Sequence, residues 1–166
     1  VTPLPPPLGT GAVVLWRLDA ASHADGWDRG EGAYLVGGRW NSRGVRAVYA
    51  SLDPATAILE VAVHKTFRAL DIVPHVLTYA EIRDPALIHV VNEGAIPNPN
   101  WLAPGIPSTG QQAFGDALLA AHPMILLPSV LSRHSWNLIF SPAAGLYRPA
   151  TQEAFALDPR LHPPRS

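Results

Sequence analysis

The chain has 166 residues, a formal net charge of −1 from 12 Lys+Arg against 13 Asp+Glu, and no cysteine. That balance excludes a field strong enough to gather nucleic acid or an anionic membrane surface. The absence of thiols excludes disulfides, thiolate nucleophiles and cysteine zinc sites, and leaves a cytoplasmic setting as the default.

In chain order, the opening Val1–Leu8 is VTPLPPPL. Each proline ring fixes φ and removes an amide donor, so residues 1–11 are expected to form an extended tail outside the core, with one domain over 12–166. The opening lacks the basic and apolar regions of a secretory signal, and no run approaches the roughly 20 apolar residues of a membrane span. Ala12–Leu18 (AVVLWRL) reads as a first strand carrying one charge, Arg17. Asp19 to Gly38, with five glycines, reads as a working loop. Val45–Ser51 alternates as a strand, with Val45, Ala47, Tyr49 and Ser51 on one face and Val48 on the other.

Asp53-Pro54 pairs an N-cap residue with a proline at the first helical position and opens a helix to about Leu70. Apolar residues occupy nearly all sides of that helix, which is therefore expected to be buried. His75–Ile82 and Leu87–Val91 read as strands, Asn92–Ser108 as a loop containing Trp101, and Thr109 as the cap of a helix through Leu119. Met124–Leu131 and Asn137–Phe140 read as the last strands. The order β, β, α, β, β, α, β, β predicts an α+β fold with a mixed, mostly antiparallel sheet and few helices. A composition of 48% hydrophobic and 15% charged residues is apolar enough that part of the surface is expected to face a partner.

Glu60 is the only acidic residue between Pro54 and Ala69. A carboxylate in such a helix is either paired or put to use, although Glu60, His64 and Arg68 read equally as a solvated polar stripe. Gly37-Gly38-Arg39-Trp40-Asn41 lets the chain turn sharply and bring a guanidinium to a ligand's phosphate oxygens, or reads as a turn followed by a structural arginine. Ser129 lies in LLPSVL without a G-x-S-x-G elbow, and the scattered histidines have no metal-ligand spacing, so neither a serine triad nor a metal site is expected.

The run GGRWNSRGVRAVYAS followed by ILEVAVH resembles the RES domain, the toxin half of bacterial RES-Xre toxin-antitoxin pairs. Arg39 to Tyr49 is ten residues and Tyr49 to Glu60 is eleven, a spacing similar to the Arg, Tyr and Glu triad of that family. Trp101, Phe114-Gly115-Asp116, Pro128-Ser129, Asn137 and Asp158-Pro159-Arg160-Leu161 extend the resemblance over roughly Val14 to Leu161. Two places depart from it: Asn41-Ser42-Arg43-Gly44 stands where RWNPPG would continue, and Ser141-Pro142-Ala143-Ala144 where Asn-Pro-x-His is usual.

The resemblance implies an ADP-ribosyltransferase-like fold and an enzyme that consumes NAD+ without a metal. It implies a catalytic set of Arg39, Tyr49, Glu60 and Ser129, with Arg17, Trp40, Asn41 and Asn137 as substrate-binding residues. Glu60 would stabilise positive charge on the ribose carbon and Arg39 would anchor the pyrophosphate or ribose. Tyr49 would pack against nicotinamide or bond near the ribose, and Ser129 would bind the amide or ribose. The implied partner is an Xre-type helix-turn-helix antitoxin. The ADP-ribose acceptor, whether water, phosphate or a protein, stays open. So do a selective mono-ADP-ribosyltransferase and a non-catalytic nucleotide- or protein-binding module.

Overall fold

The computed structural model of the chain describes Leu8 and residues 11–161. The tail expected over residues 1–11 lies outside the described residues except for Leu8 and Gly11, and Leu8 packs against the core instead of standing clear of it. Among the described residues seven strands form one sheet: β1 (Val14–Ala20), β2 (Val48–Ser51), β3 (His75–Glu81), β4 (Ile88–Val90), β5 (Met124–Ser129), β6 (Ser132–Phe140) and β7 (Thr151–Phe155). Their order is β4-β5-β6-β2-β1-β3-β7. Every neighbouring pair is antiparallel except β4 and β5, which run parallel. This is the mixed, mostly antiparallel α+β architecture expected from the sequence.

β7 was not expected. Its TQEAF sequence is exposed at four of five positions, so it has no apolar alternation to announce it. It joins the sheet by main-chain pairing with the edge of β3. The β2 strand is also shorter than the alternation in Val45–Ser51 suggested, starting only at Val48, and the segment expected as a loop before it contains a short helix, α1 (Glu31–Val36).

β1 and β2 meet at a single register, Trp16 opposite Ser51, whereas β1 pairs with β3 along its whole length. The sheet is therefore two halves, β4-β5-β6-β2 and β1-β3-β7, joined at one residue pair. Arg17 spans the gap beside that pair. Its Nη1 donates to the Tyr49 carbonyl at 2.7 Å, while Nε and Nη2 are gripped by the Asp19 carboxylate at 2.8 and 2.7 Å.

Strand alternation sorts the core into layers. Leu15, Val48, Ala50, Leu126, Leu138 and Phe140 pack on one side of the sheet. Ala47, Ile125, Leu127 and Ile139 pack on the other, together with Tyr49, Trp40 and Trp101. The long helix α2 (Pro54–Ile72) covers Trp16, Leu18 and Leu77 through Ile58, Val61, Ala62 and Leu70. Asp53 caps it as expected, accepting from the Thr56 amide at 2.8 Å and from the Thr56 hydroxyl at 2.6 Å. The third helix, α3 (Thr109–Ala121), is capped by Ser108 and not by Thr109, the Ser108 hydroxyl accepting from the Gln111 amide at 3.1 Å. None of the described helices is long and apolar enough to cross a membrane.

The expectation that α2 is buried on nearly all sides is wrong. Leu59 and Val63 are 44% and 61% exposed, because the helix lies on the sheet by one face and among the described residues nothing covers the other. The helix is also broken at Thr66, whose φ of 70° and ψ of 153° belong to backbone space that is nearly reserved for glycine. Such a residue stores about 1–3 kcal/mol of strain. Thr66→Gly is therefore expected to stabilise the chain by about 1 kcal/mol net of the greater freedom that glycine gives the unfolded chain. A raised midpoint in thermal unfolding is the expected result, and a lowered one would refute the strain.

Candidate active site

Glu60 is half-buried on α2 and reaches Ser129 at the end of β5 and Asn137 within β6. Its Oε1 accepts from the Ser129 hydroxyl at 2.7 Å and from the Asn137 amide Nδ2 at 2.5 Å. The lone pairs of Ser129 are engaged in turn by the Leu131 amide, 3.0 Å away, so its proton points at the carboxylate. The Asn137 amide oxygen accepts from the Ser51 hydroxyl at 2.9 Å. Among the described residues Oε2 of Glu60 takes no hydrogen bond. The carboxylate thus keeps one oxygen fastened to the sheet and one for a ligand.

Tyr49 serves the neighbouring loop. Its hydroxyl donates to Asn41 Oδ1 at 2.7 Å and accepts from the Trp40 amide at 3.0 Å. Burial pushes the phenol's pKa well above the usual tyrosine range, with the charge of Asp116 acting the same way against the opposing Trp40 amide and Arg39. The proton therefore stays on Tyr49 and remains available to Asn41. Gly38 makes this approach possible: a Cβ there would stand 2.5 Å from the Tyr49 hydroxyl.

One stripe of α3 moulds the same loop. Gln112 donates to the Gly38 carbonyl at 2.8 Å, Asp116 accepts from the Ser42 amide at 2.9 Å, and Gly115 sits so close under Trp40 that a Cβ would fall 2.0 Å from its carbonyl oxygen. Positions 112, 115 and 116 share a helix face, so three successive contacts fix the main chain from Gly38 to Ser42.

That mould presents Arg39. Its Nη1 donates to the carbonyls of Trp101 and Ala103 at 3.0 and 3.3 Å, which leaves the N–H groups on Nε and Nη2 for the oxygens of a ligand. Burial lowers its pKa, and the electrostatic interactions with Glu60 and then with Tyr49 act in the opposite sense. The guanidinium stays charged at neutral pH and shares its field with Glu60.

The fold thus gathers Glu60, Ser129 and Asn137 directly, with Arg39 coupled through its charge and Tyr49 behind the loop. Trp40 and Asn41 are placed differently from a ligand-facing pair. Trp40 is buried against Trp101, with ring centroids 5.5 Å apart. Asn41 is fully buried, its Nδ2 shared among the carbonyls of Ala33, Ser42 and Val45. Arg17 is occupied by Asp19 and the Tyr49 carbonyl, as described above, and His64 and Arg68 are exposed on the outside of α2. The sequence reading assigned no role to Ser51, Gln112 or Asp116. Strand alternation had put Ser51 on the face of Tyr49, and a hydroxyl at an inward position of an apolar strand was the signal to follow.

A broad hollow of about 510 Å³ lies elsewhere, lined by Asp25, Asp28, Arg29, Pro142–Gly145 and Tyr147, and none of the residues around Glu60 borders it. On its wall the Tyr147 hydroxyl donates to the Asp28 carboxylate. Among the described residues no group of His, Asp or Glu is arranged to hold a metal ion.

The model of the RES domain family matches residues 14–158. A protein of Photorhabdus laumondii named Toxin Res is 30% identical over 134 residues, covering 80% of this chain and 83% of that one. One from a Sphingobium species named Prs ADP-ribosylating toxin is 32% identical over 134 residues, covering 77% and 81%. A chain in the crystal structure of the M. tuberculosis MbcT-MbcA toxin-antitoxin complex superposes with a TM-score of 0.66 at 20% identity, covering 86% of this chain and 85% of that one. At that identity the likeness is one of fold.

Proposed function

The chain belongs to the RES domain family, and from that premise we propose that it is the toxin of a toxin-antitoxin pair and cleaves NAD+ at the bond between nicotinamide and ribose. The observation that carries the reading is the carboxylate of Glu60, held by two donors on one oxygen with the other oxygen open. When the glycosidic bond breaks, its electron pair leaves with nicotinamide and positive charge builds on the ribose carbon. An oriented carboxylate beside that carbon lowers the barrier. Arg39 offers its remaining N–H groups to the pyrophosphate or ribose oxygens. Ser129, with its proton given to Glu60 and a lone pair taken by Leu131, serves as a brace for the carboxylate and not as a nucleophile.

The ADP-ribose then passes to an acceptor, which we take to be water or phosphate. The Sphingobium relative's name, an ADP-ribosylating toxin, favours a second reading in which the acceptor is one cellular protein. Incubating the purified chain with NAD+ labelled in its adenylate half, with and without cell lysate, separates the two. Release of nicotinamide by the chain alone, with label in small molecules, is the expected result. Release only with lysate, with label on one protein band, would select the second reading. No release under either condition would overturn both and leave a binding module. The proposed partner is an Xre-type antitoxin, and the apolar pair Leu59 and Val63 flanking Glu60 on the outside of α2 is a surface suited to a protein partner.

A further inference from the structure

The geometry points to Ser51 as a positioning residue that acts on Glu60 through Asn137. This rests on the reading of Glu60 as the group beside the reacting ribose. Ser51 ends β2, is 2% exposed, and lies opposite Asn137 of β6 on one side and Trp16 of β1 on the other. It thus occupies the one register that joins the two halves of the sheet.

The chain of bonds has a fixed direction. An ionised carboxylate only accepts, so the Asn137 amide must turn its NH2 toward Glu60. Its oxygen is then directed back into the sheet, where the Ser51 hydroxyl donates to it at 2.9 Å. Without that hydroxyl the amide oxygen is left without its donor in a largely enclosed place, and it gains by rotating away from the position that serves Glu60. The carboxylate would keep only the Ser129 brace and could swing on it. With both braces in place one oxygen is held against the sheet and the other is left for the substrate, so Ser51 helps fix the orientation of the carboxylate.

Ser51→Ala is therefore expected to lower kcat for nicotinamide release about ten- to a hundredfold while leaving KM within about twofold, as misplacement of a reacting group does. In an Asn137→Ala background the same substitution should have no further effect, since the intermediary is gone. A drop that persists undiminished in that background would overturn the proposal and leave Ser51 a structural residue. A second measurement does not depend on NAD+ chemistry. The side-chain amide protons of Asn137, followed by NMR hydrogen exchange, should be protected in the unaltered chain and lose that protection in Ser51→Ala. Unchanged protection would also overturn the proposal. If the unaltered chain releases no nicotinamide, the reading of the reaction fails while the exchange measurement still decides whether Ser51 orients Asn137.

Discussion

Glu60→Gln should reduce nicotinamide release by about a thousandfold, or about 4 kcal/mol of transition-state stabilisation, while leaving the fold intact. Glutamine has the same shape, and its amide oxygen can still accept from Ser129 and Asn137 as Oε1 does now. What it removes is the negative charge, and with it the interaction that grows as the ribose carbon becomes positive. The opposite face of the group changes too, because an NH2 replaces the open acceptor Oε2. The variant should melt within a few degrees of the parent, and steady-state nicotinamide release measures the rest. A soluble variant that retains activity within tenfold of the parent would mean that Glu60 is not at the reacting centre.

The second large effect is on the mould of the Arg39 loop. Gly115 lies inside α3, where replacing glycine by alanine ordinarily stabilises a helix by about 1 kcal/mol. Here the sign reverses. The added methyl would lie 2.0 Å from the Trp40 carbonyl oxygen, with the carbonyl carbon at 2.6 Å and the Cα at 2.8 Å, and main-chain atoms cannot swing aside as a side chain can. Gly115→Ala should cost about 3 kcal/mol, lowering the thermal midpoint by about 6–12 °C. Gly110 in the same helix has nothing within 4 Å of its would-be Cβ, so Gly110→Ala is the matched control and should be neutral or mildly stabilising. Equal melting points for the two variants would contradict the close approach of α3 to Trp40.

How far these features could be read beforehand depended on the range of the interactions behind them. Asp53-Pro54 announced the start of α2 because capping is local, and the alternation in VRAVYAS separated Val48 from Tyr49 because strand faces are local too. Glu60 stood out by its charge among aliphatic neighbours. Trp40 and Asn41 could not be oriented in this way. Their side chains turn inward because α3, some seventy residues later, presses on the loop, and no spacing near Arg39 records that pressure. The face of α2 that carries Ile58, Val61, Ala62 and Leu70 suffices to cover Trp16 and Leu18, so Leu59 and Val63 point outward, which composition alone could not tell from burial. Gly115 did leave a trace: a glycine inside an otherwise favourable helix asks for a reason, and the reason is the neighbour it lets in.

The bond from the Ser42 amide to Asp116 also gives meaning to a departure in the sequence. Where RWNPPG would place a proline after Asn41, this chain has serine, and proline has no N–H to donate. A proline there would stiffen the loop through its ring, whereas this chain tethers it to a carboxylate. The two are alternative solutions to one mechanical problem, and Ser42→Pro would exchange one for the other while leaving the Asp116 carboxylate without its amide donor.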